Sequence, residues 1–477
     1  MSAAAYNAVS TASLPKVTSR SGLTSICLLI SDITAILIVG AMMVLFVDRW
    51  WDLWKEFSLA QTGMVMIFAG LELYPGCGLS PARELREIFG GSTISHGLAA
   101  TAFFLWRPEA TPLAAGICFS WAATVALVIF CRSVARHVCA GRPWWGVPAV
   151  IFGSGQTARA VLRHIRAYPA TGMRVVAVFE DECPDWPELQ SGAVFVTTRA
   201  HASHYAQNLG VTHAIVALSD ARGSEIRTLI KSDARYFKQL LVIPDLAGLS
   251  SMWVGTRDLG GTLGLHISQT LLHKGPQFFK RAFDLVLSGA ALLILSPLIA
   301  LIILAIRFTS PGPVVYGQVR VGRNNSRFKA WKFRSMCANA DAVLAEYLKA
   351  DPVLRAEWER DHKLKNDPRV TTIGRLLRKT SLDELPQLWN VLKGEMSLIG
   401  PRPIVDAEIA RYGDSFDAYQ SVRPGISGMW QVSGRNNTSY GERVQFDEYY
   451  VTNWSIWLDI YIIGRTFKTV LLGEGAY

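Results

Sequence analysis

The chain has few charged residues and no cysteine pattern typical of a disulfide framework or a zinc site. Of its 477 residues 18% are charged, whereas globular proteins usually carry about 25%. Half of the residues are hydrophobic, and the mean hydropathy is +0.23. The seven cysteines are an odd number and include no Cys-x-x-Cys pair. These features exclude a disordered chain and a purely soluble enzyme.

Basic residues exceed acidic ones, and their positions indicate what they serve. Lysine and arginine number 48 against 38 aspartates and glutamates, which gives a net charge of +10. Such an excess suits nucleic acid, an anionic lipid surface or phosphorylated substrates. The basic residues follow the ends of apolar segments and one polar cluster in the last third of the chain. We therefore expect membrane lipids and phosphorylated substrates as partners, and no nucleic acid.

The first third of the chain contains four apolar stretches that predict transmembrane helices. The first is longer than the roughly 7–15 apolar residues of a signal peptide. Basic residues precede the first stretch, lie between the second and the third, and follow the fourth, so all of them fall on one side of the membrane. The positive-inside rule assigns that side to the cytoplasm. We expect a tail over 1–21 and a four-helix anchor over 22–140, with no charge pair inside the membrane. The stretches are Ile26–Val47, Phe57–Tyr74, Ile88–Trp106 and Leu113–Cys131, and the flanking residues are Lys16, Arg20, Arg83, Arg86, Arg132, Arg136 and Arg142.

Residues 145–265 alternate short β-branched runs with helical ones, which predicts a Rossmann-like α/β domain with a parallel sheet. Gly153-Ser154-Gly155-Gln156-Thr157-Ala158 has the form of a dinucleotide-binding turn, and Glu180-Asp181 follows at about the spacing of a ribose-binding acid. Neither Tyr205 nor Tyr236 is followed four residues later by the lysine that a nucleotide-sugar epimerase needs. Three interpretations remain: a non-catalytic structural or regulatory domain, a nucleotide-sugar sensor and a redox domain.

A fifth apolar run, Leu285–Ile306, has basic residues on both flanks. About 20 apolar residues suffice to cross a bilayer, but a crossing would leave positive charge on both sides. Ser296-Pro297 interrupts the run near its middle, and proline removes a backbone donor and clashes with the preceding turn. We expect a helix over 282–308 that enters and leaves on the same side. A plain kinked transmembrane helix is the alternative.

The densest polar chemistry lies after this run. Residues 328–336 alternate bulky and cationic side chains, as a strand with one basic face would. Arg375, Arg378 and Lys379 have the spacing of one helix face, and Ser381-Leu382-Asp383-Glu384-Leu385-Pro386-Gln387 follows directly. Acids surrounded by bases suit phosphoryl transfer, in which a carboxylate attacks phosphorus or holds magnesium. The alternative is that Ser381 and Glu384 form a helix capping box.

Several motifs identify a family. From about Lys280 onward the sequence resembles the bacterial sugar transferases, which are monotopic polyprenyl-phosphate phosphoglycosyl transferases. The resemblance implies an α+β catalytic domain over 274–477 with a re-entrant membrane helix broken at Ser296 and Pro297. The matching motifs are Ser296-Pro297, Lys332-Phe333-Arg334-Ser335-Met336, Asp367-Pro368-Arg369-Val370-Thr371, Ser381 to Gln387, Ser397-Leu398-Ile399-Gly400-Pro401-Arg402-Pro403 and Gln431-Val432-Ser433-Gly434-Arg435.

The reaction that the resemblance implies moves a hexose-1-phosphate from a UDP-sugar to undecaprenyl phosphate and releases UMP. By the same resemblance Asp383 is the nucleophile, which forms a covalent phosphosugar intermediate, and Asp383 and Glu384 hold Mg²⁺. The whole chain resembles members that transfer galactose-1-phosphate, and glucose-1-phosphate is the alternative. As phosphate contacts we expect Lys332, Arg334, Arg378, Arg402 and Arg435.

The remaining expectations concern location and rival functions. Tyr449–Val470 predicts an amphipathic surface helix, because Asp459 and Arg465 interrupt its apolar residues. We expect a multi-pass protein of the bacterial inner membrane, with its active site on the cytoplasmic face and a homodimeric assembly. The rival functions are a membrane-anchored nucleotide-sugar epimerase or dehydrogenase, and a non-catalytic scaffold for glycan assembly.

Overall fold

The chain divides into two compact units, residues 1–249 and 250–477, which are described separately. The computed structural model describes residues 21–46, 50–106, 114–153, 155–180, 186, 195–197, 202–207, 209–217, 228–229, 232, 234–243, 254–258, 263–267, 271, 274–309, 311–337, 340, 343–344, 349, 367, 369–433 and 438–472.

The first unit begins with four helices: α1 Ser21–Phe46, α2 Trp50–Gly70, α3 Pro81–Trp106 and α4 Ala114–Cys139. Helix α1 packs on α4, and α2 packs on α3. Three segments, Gly22–Phe46, Pro81–Trp106 and Ala114–Cys139, are long and apolar enough to cross a membrane. Each predicted apolar stretch overlaps one of the four helices, although the bounds shift. Helix α2, which overlaps the second stretch, is not among the three segments that meet this criterion. Helix α4 continues to Cys139, past the predicted end at Cys131.

A buried ion pair lies inside this bundle, so the expectation of no charge pair there is wrong. Arg132 of α4 donates from Nε and Nη2 to the two carboxylate oxygens of Asp32 in α1, at 2.8 and 2.7 Å. The two side chains are 2% and 0% exposed. Tyr74 also donates to Asp32, at 2.5 Å. The prediction failed because α4 extends beyond Cys131 and brings Arg132 into the bundle.

The rest of the described first unit is an α/β domain. Its five strands are parallel and lie in the order β3-β2-β1-β4-β5, which is an order of doubly wound nucleotide-binding folds. The predicted parallel sheet is confirmed. Ser154 and Asp181 of the predicted nucleotide motif lie outside the described residues. The elements are β1 Val147–Phe152, α5 Gln156–Ala167, β2 Met173–Phe179, β3 Phe195–Thr197, α6 Ala202–Gln207, β4 His213–Val216 and β5 Gln239–Val242.

The second unit combines one long helix with short helices and two-stranded sheets. Its first hairpin, over 254–267, falls in this unit, although the sequence-based boundary assigns most of it to the α/β domain. The elements are β6 Val254–Asp258, β7 Leu263–Ile267, α7 Lys274–Thr309, β8 Val315–Val321, β9 Arg327–Phe333, α8 Thr372–Thr380, α9 Gln387–Lys393, β10 Ser397–Ile399, α10 Ile409–Tyr412, α11 Phe416–Ser421, β11 Gly425–Ser427, α12 Met429–Ser433, α13 Tyr440–Thr452 and α14 Ile456–Leu472.

Buried charges tie α7 to the end of the chain. Lys280 Nζ lies 2.8 Å from Asp459 Oδ2 and 3.4 Å from Asp284 Oδ1. Asp459 is 0% exposed and also accepts hydrogen bonds from Tyr450 and Trp454. Two helices, α13 and α14, occupy the segment predicted as one surface helix. The prediction of one helix over Tyr449–Val470 is therefore wrong, and Asp459, one of the two charges that interrupt its apolar residues, forms an internal contact.

The ion pair in the bundle supplies a stability prediction. Replacing Asp32 by alanine leaves Arg132 buried without its partner, which typically costs about 3–5 kcal/mol. We expect Asp32→Ala to lower the free energy of unfolding of the detergent-solubilised protein by that order, measured by chemical denaturation. The control is Arg83→Ala, which removes a partly exposed pair with Glu87 at 4.0 Å and should cost less than about 1 kcal/mol. Equal stability of the two variants would contradict the buried pair.

Candidate active site

The β8–β9 hairpin positions Lys332. The strands are antiparallel, and Lys332 pairs with Tyr316 across the hairpin. Phe328 and Ala330 share the face of Lys332, because residues two apart point the same way, and both are buried. Lys329 lies on the opposite face. The expectation of a single basic face is therefore wrong, and Lys332 is the cation at the end of a mainly apolar strand face.

The carboxylates lie on a tight turn after α8. Ser381 ends α8 with φ +57°, a left-handed conformation that is uncommon for a non-glycine residue. Leu382–Glu384 then forms a 3₁₀ turn that carries Asp383 and Glu384. Ser381 makes no side-chain capping bond to this turn, and Glu384 binds Lys332 instead. The capping-box alternative is therefore wrong.

Opposite charges meet at this turn. Lys332 Nζ donates to Glu384 Oε1 at 2.6 Å, and both side chains are partly exposed. Burial raises the pKa of Asp383, and the charge of Glu384 adds to that effect, while Lys332 and Arg378 lower the pKa. Arg378 is held in place by a 2.9 Å bond from Nε to Ser335 Oγ. The structure therefore brings four predicted site residues together: Lys332, Arg378, Asp383 and Glu384.

Asn390, which the sequence analysis did not single out, links the two halves of the site. Its Nδ2 donates to the carbonyl of Lys329 at 2.8 Å, and its Oδ1 accepts from the backbone N–H of Trp331 at 3.1 Å. This side chain bonds to β9 as a neighbouring strand would. Because Asn390 is fully buried in α9, which directly follows the carboxylate turn, it sets the distance between that turn and Lys332.

Glycines allow the close backbone contacts around the site. A Cβ at Gly374 would overlap the carbonyl oxygen of Ser335, so α8 approaches the end of β9 only with glycine at this position. Gly400, Gly425 and Gly428 meet in the same way where β10 pairs with β11. The glycines of the Ser397 to Pro403 motif and of the following Arg423-Pro424-Gly425 segment are thus explained by packing.

Two other predicted phosphate contacts, Arg334 and Arg402, have different partners in the structure. Arg334 is 9% exposed, and its Nη1 donates to the carbonyl of Pro311 at 2.9 Å. The Arg402 guanidinium lies 5.5 Å from the ring centre of Trp430. Arg435 is outside the described residues. The roles of these three arginines as phosphate contacts stay predictions.

Asp367 and Arg369 of the Asp-Pro-Arg motif form an ion pair within one turn. Arg369 donates from Nε and Nη2 to the two oxygens of Asp367, at 2.8 and 2.7 Å. Burial opposes ionisation of Asp367, but these hydrogen bonds dominate and lower its pKa. The turn is joined to the site strand, because the N–H of Cys337 donates to the carbonyl of Arg369. The motif therefore supports the strand that carries Lys332.

A magnesium ion fits the carboxylate turn better than a soft metal would. Among the described residues, no three His, Cys, Asp or Glu side chains cluster as metal ligands. Mg²⁺ needs no such cluster, because it keeps several waters and takes one or two carboxylates together with substrate phosphates. Asp383 and Glu384 supply two adjacent carboxylates on one turn.

Comparisons with known proteins agree with these motifs. The Bacterial sugar transferase family pattern matches residues 275–473, and a CoA-binding domain pattern matches residues 74–244. The undecaprenyl-phosphate galactose phosphotransferase of Salmonella typhimurium is 39% identical over 83% of this chain and 82% of its own. The UDP-galactose-lipid carrier transferase of Erwinia amylovora is 37% identical over 75% of each chain. The UDP-glucose:undecaprenyl-phosphate glucose-1-phosphate transferase of Escherichia coli is 32% identical over 69% of this chain and 68% of its own.

The contact of α8 with β9 generates a second prediction. Gly374→Ala places a methyl group against the carbonyl of Ser335, and overpacking of this kind typically costs about 1–3 kcal/mol. We expect that loss in the free energy of unfolding, measured by denaturant titration. Gly441→Ala in α13 is the matched control, since no atom lies within 4 Å of its added Cβ. A Gly374→Ala protein as stable as the control would show that α8 lies farther from Ser335.

Proposed function

This chain belongs to the bacterial sugar transferase family, and we propose that it transfers a hexose-1-phosphate from a UDP-sugar to undecaprenyl phosphate and releases UMP. The observation that carries the proposal is the turn at Asp383 and Glu384, where Lys332 and Arg378 face two carboxylates. Galactose is the favoured sugar, because the two relatives named for galactose are 39% and 37% identical and the one named for glucose is 32% identical. Such a transfer begins the membrane stage of polysaccharide synthesis.

We infer a two-step reaction at Asp383. Its carboxylate oxygen attacks the phosphorus that carries the sugar, and the bond to the UMP oxygen breaks with its electron pair. An oxygen of the lipid phosphate then attacks the same phosphorus and frees the carboxylate. Splitting the transfer in two lets the aqueous and the lipid substrate use the site in turn. The partial burial of Asp383 supports this role, because a buried acyl phosphate is protected from water.

The basic residues neutralise charge around the reacting phosphate. Lys332 holds Glu384 by its 2.6 Å bond, and Arg378 is fixed by Ser335. Asp383 and Glu384 would hold Mg²⁺, which withdraws electron density from phosphate oxygens when bound. Preorganised cations in a partly dry site are typically the largest source of rate enhancement in phosphoryl transfer.

The contacts of α7 support a helix that enters and leaves the membrane on one side. Arg281, near its start, donates to the carbonyls of Val391 and Leu392 at 2.6 and 2.9 Å. Ile302 and Ile306, near its end, pack with Phe333 and Leu377 of the same domain. A straight helix of 36 residues would be about 54 Å long, and a crossing would place its ends on opposite sides. The helix is continuous through Ser296 and Pro297, and we propose that Pro297 bends it there.

Exposed apolar side chains support a site at the membrane surface. Leu293 and Ile294, just before the proposed bend, are 77% and 73% exposed. Leu376 and Trp389, on either side of the carboxylate turn in sequence, are 56% and 54% exposed. We propose that these residues contact lipid and hold the site at the height of the lipid phosphate. The basic flanks of the apolar helices favour the cytoplasmic face of the inner membrane.

The α/β domain is proposed as a structural or regulatory part. Its parallel sheet and the glycine turn at Gly153 suit a nucleotide, but the missing tyrosine–lysine pair disfavours redox chemistry. A homodimer stays a prediction. The scaffold hypothesis and the epimerase hypothesis both predict that Asp383 is dispensable for activity.

Release of UMP tests the proposed reaction. We expect the solubilised protein, given Mg²⁺, undecaprenyl phosphate and UDP-galactose, to release UMP in a lipid-dependent way, and UDP-glucose to be the poorer donor. Asp383→Asn should reduce the rate at least 1,000-fold, about the effect of removing a catalytic nucleophile, and chelation of Mg²⁺ should abolish it. The control is Asp414→Asn at an exposed position. Equal rates in Asp383→Asn and wild type would sink the proposal.

Cysteine labelling tests the path of α7. In a cysteine-free background, Gly275→Cys and Phe308→Cys sit at the two ends of the helix, and both positions are exposed. We expect an impermeant maleimide to modify both from the side on which it modifies Lys393→Cys in the catalytic domain. Labelling of Gly275→Cys from the opposite side would establish a crossing helix instead.

A further inference from the structure

A cluster of arginines and aromatic rings lies apart from the carboxylate turn. Arg443 of α13 lies 5.1 Å from the ring centre of Trp430 and 5.2 Å from that of Tyr440. Arg402 lies over the same Trp430 ring at 5.5 Å. Arg320 of β8 is close enough that burial and then the charges of Arg402 and Arg443 lower its pKa. We call this group the arginine cluster: Arg320, Arg402, Arg443, Trp430 and Tyr440.

The arginine cluster has more donors than the described residues satisfy. Arg443 Nε and Nη2, Trp430 Nε1 and the Tyr440 hydroxyl are buried and have no hydrogen-bond partner among the described residues. Arg443 Nη1 reaches Glu408 Oε1 at 3.5 Å. A buried donor without an acceptor typically costs about 1–3 kcal/mol. The buried carboxyl of Asp447 is also close enough to feel the charges of Arg443 and Arg402, and among the described residues its Oδ1 is unpaired as well. One such acceptor cannot serve four donors, which indicates that a bound anion supplies the remaining acceptors.

The unused edge of Arg443 has the shape of a carboxylate or phosphate clamp. Two other arginines in this chain, Arg132 and Arg369, use the same pair, Nε and Nη2, to hold both oxygens of an aspartate at 2.7–2.8 Å. At Arg443 that pair makes no hydrogen bond among the described residues, although the carboxyls of Glu408 and Asp447 lie near the same guanidinium. The rings of Trp430 and Tyr440 hold the guanidinium in one orientation, so less entropy is lost when an anion binds.

The hairpin places the arginine cluster within reach of a substrate bound at Asp383. Arg320 and Lys332 point to the same face of β8–β9, at opposite ends, because they pair with Phe328 and Tyr316. Four residues along a strand correspond to about 13 Å between the two backbone positions. Both side chains are long, so their charged ends can reach one diphosphate that lies between the two backbone positions. The phosphorus that carries the sugar would then lie at Asp383, and the neighbouring UMP phosphate would lie on the side of the arginine cluster.

We propose that Arg443, with Trp430 and Arg402, binds the phosphate of the nucleotide half of the donor, which leaves as UMP. This inference rests on the proposed function and adds Arg443 to its binding residues. Arg402 offers the accessible guanidinium, whereas Arg443 Nε and Nη2 are covered in the present conformation, so the phosphate must displace covering side chains as it enters. The lipid phosphate offers the same chemistry, and the experiment below separates the two sources.

Equilibrium binding of UMP to the full-length solubilised protein tests the inference without turnover. Arg443→Met keeps the side-chain stem and removes the donors. We expect UMP to bind about 10–100-fold more weakly, the usual effect of losing charge-assisted hydrogen bonds, and uridine to bind as it does to wild type. The melting temperature without ligand should change little, because the variant removes the unpaired donors together with the 3.5 Å contact to Glu408. A purely structural Arg443 would instead lower that temperature and leave UMP affinity unchanged, which overturns the inference.

Controls make each outcome decisive. Arg411→Met removes an exposed arginine that also lies 5.2 Å from the Tyr440 ring, and UMP affinity should change less than twofold. Trp430→Phe keeps an aromatic ring and removes the unpaired Nε1 donor, so it should weaken UMP binding several-fold. This variant tests the inference if Arg443→Met fails to fold. A raised KM for undecaprenyl phosphate with unchanged UMP affinity assigns the arginine cluster to the lipid and overturns the inference.

Absence of UMP release by wild type would count against the proposed function, whereas an active wild type with unaltered variants counts only against the arginine cluster.

Discussion

The candidate site depends most directly on the two hydrogen bonds that join the Asn390 side chain to β9. The carboxamide of this side chain bonds to the carbonyl of Lys329 and to the N–H of Trp331, and so takes the place of a strand along β9. Lys332 follows Trp331, and the carboxylate turn precedes α9, so the amide controls the separation of the two partners in the 2.6 Å ion pair. An apolar side chain here would leave a buried donor and acceptor unpaired, which costs more than a hydrogen bond contributes.

Close backbone packing and buried charge hold the rest of the catalytic domain around this contact. Gly374 lets α8 lie on the end of β9, and Gly400 lets β10 meet β11. Lys280 joins α7 to α14 through Asp459, and Asp284 of α7 accepts hydrogen bonds from Ser397 and from the backbone of Leu398. Buried ions persist only when paired and hydrogen-bonded, so each contact also fixes the element that carries it. The long apolar helix and the carboxylate turn are thereby joined in one body.

Local patterns in the sequence predicted most of the elements but misjudged several contacts. Short runs rich in β-branched residues predicted the strands of the parallel sheet. Such side chains are enriched in strands because they pack well on a pleated surface. The buried pair of Asp32 and Arg132 was missed because its partners lie 100 residues apart. Ser381 and Glu384 have the spacing of a capping box, and only the left-handed backbone at Ser381 shows that the helix ends there. The spacing of Ser381 and Glu384 is the same in a helix cap and in a turn that follows a helix.

The sequence alone determined the apolar segments, the alternation of strands and helices in the α/β domain and the contiguous Asp383-Glu384 motif, because each depends on residues that are neighbours in the chain. Tertiary structure decided which cations reach those carboxylates: Lys332 and Arg378 do, while Arg334 turns to the carbonyl of Pro311. It also decided that Asn390 braces the strand and that Arg443 keeps an unused pair of donors. The physical reason is that hydrogen bonds and ion pairs act over a few ångströms in space, and folding sets which distant residues come that close.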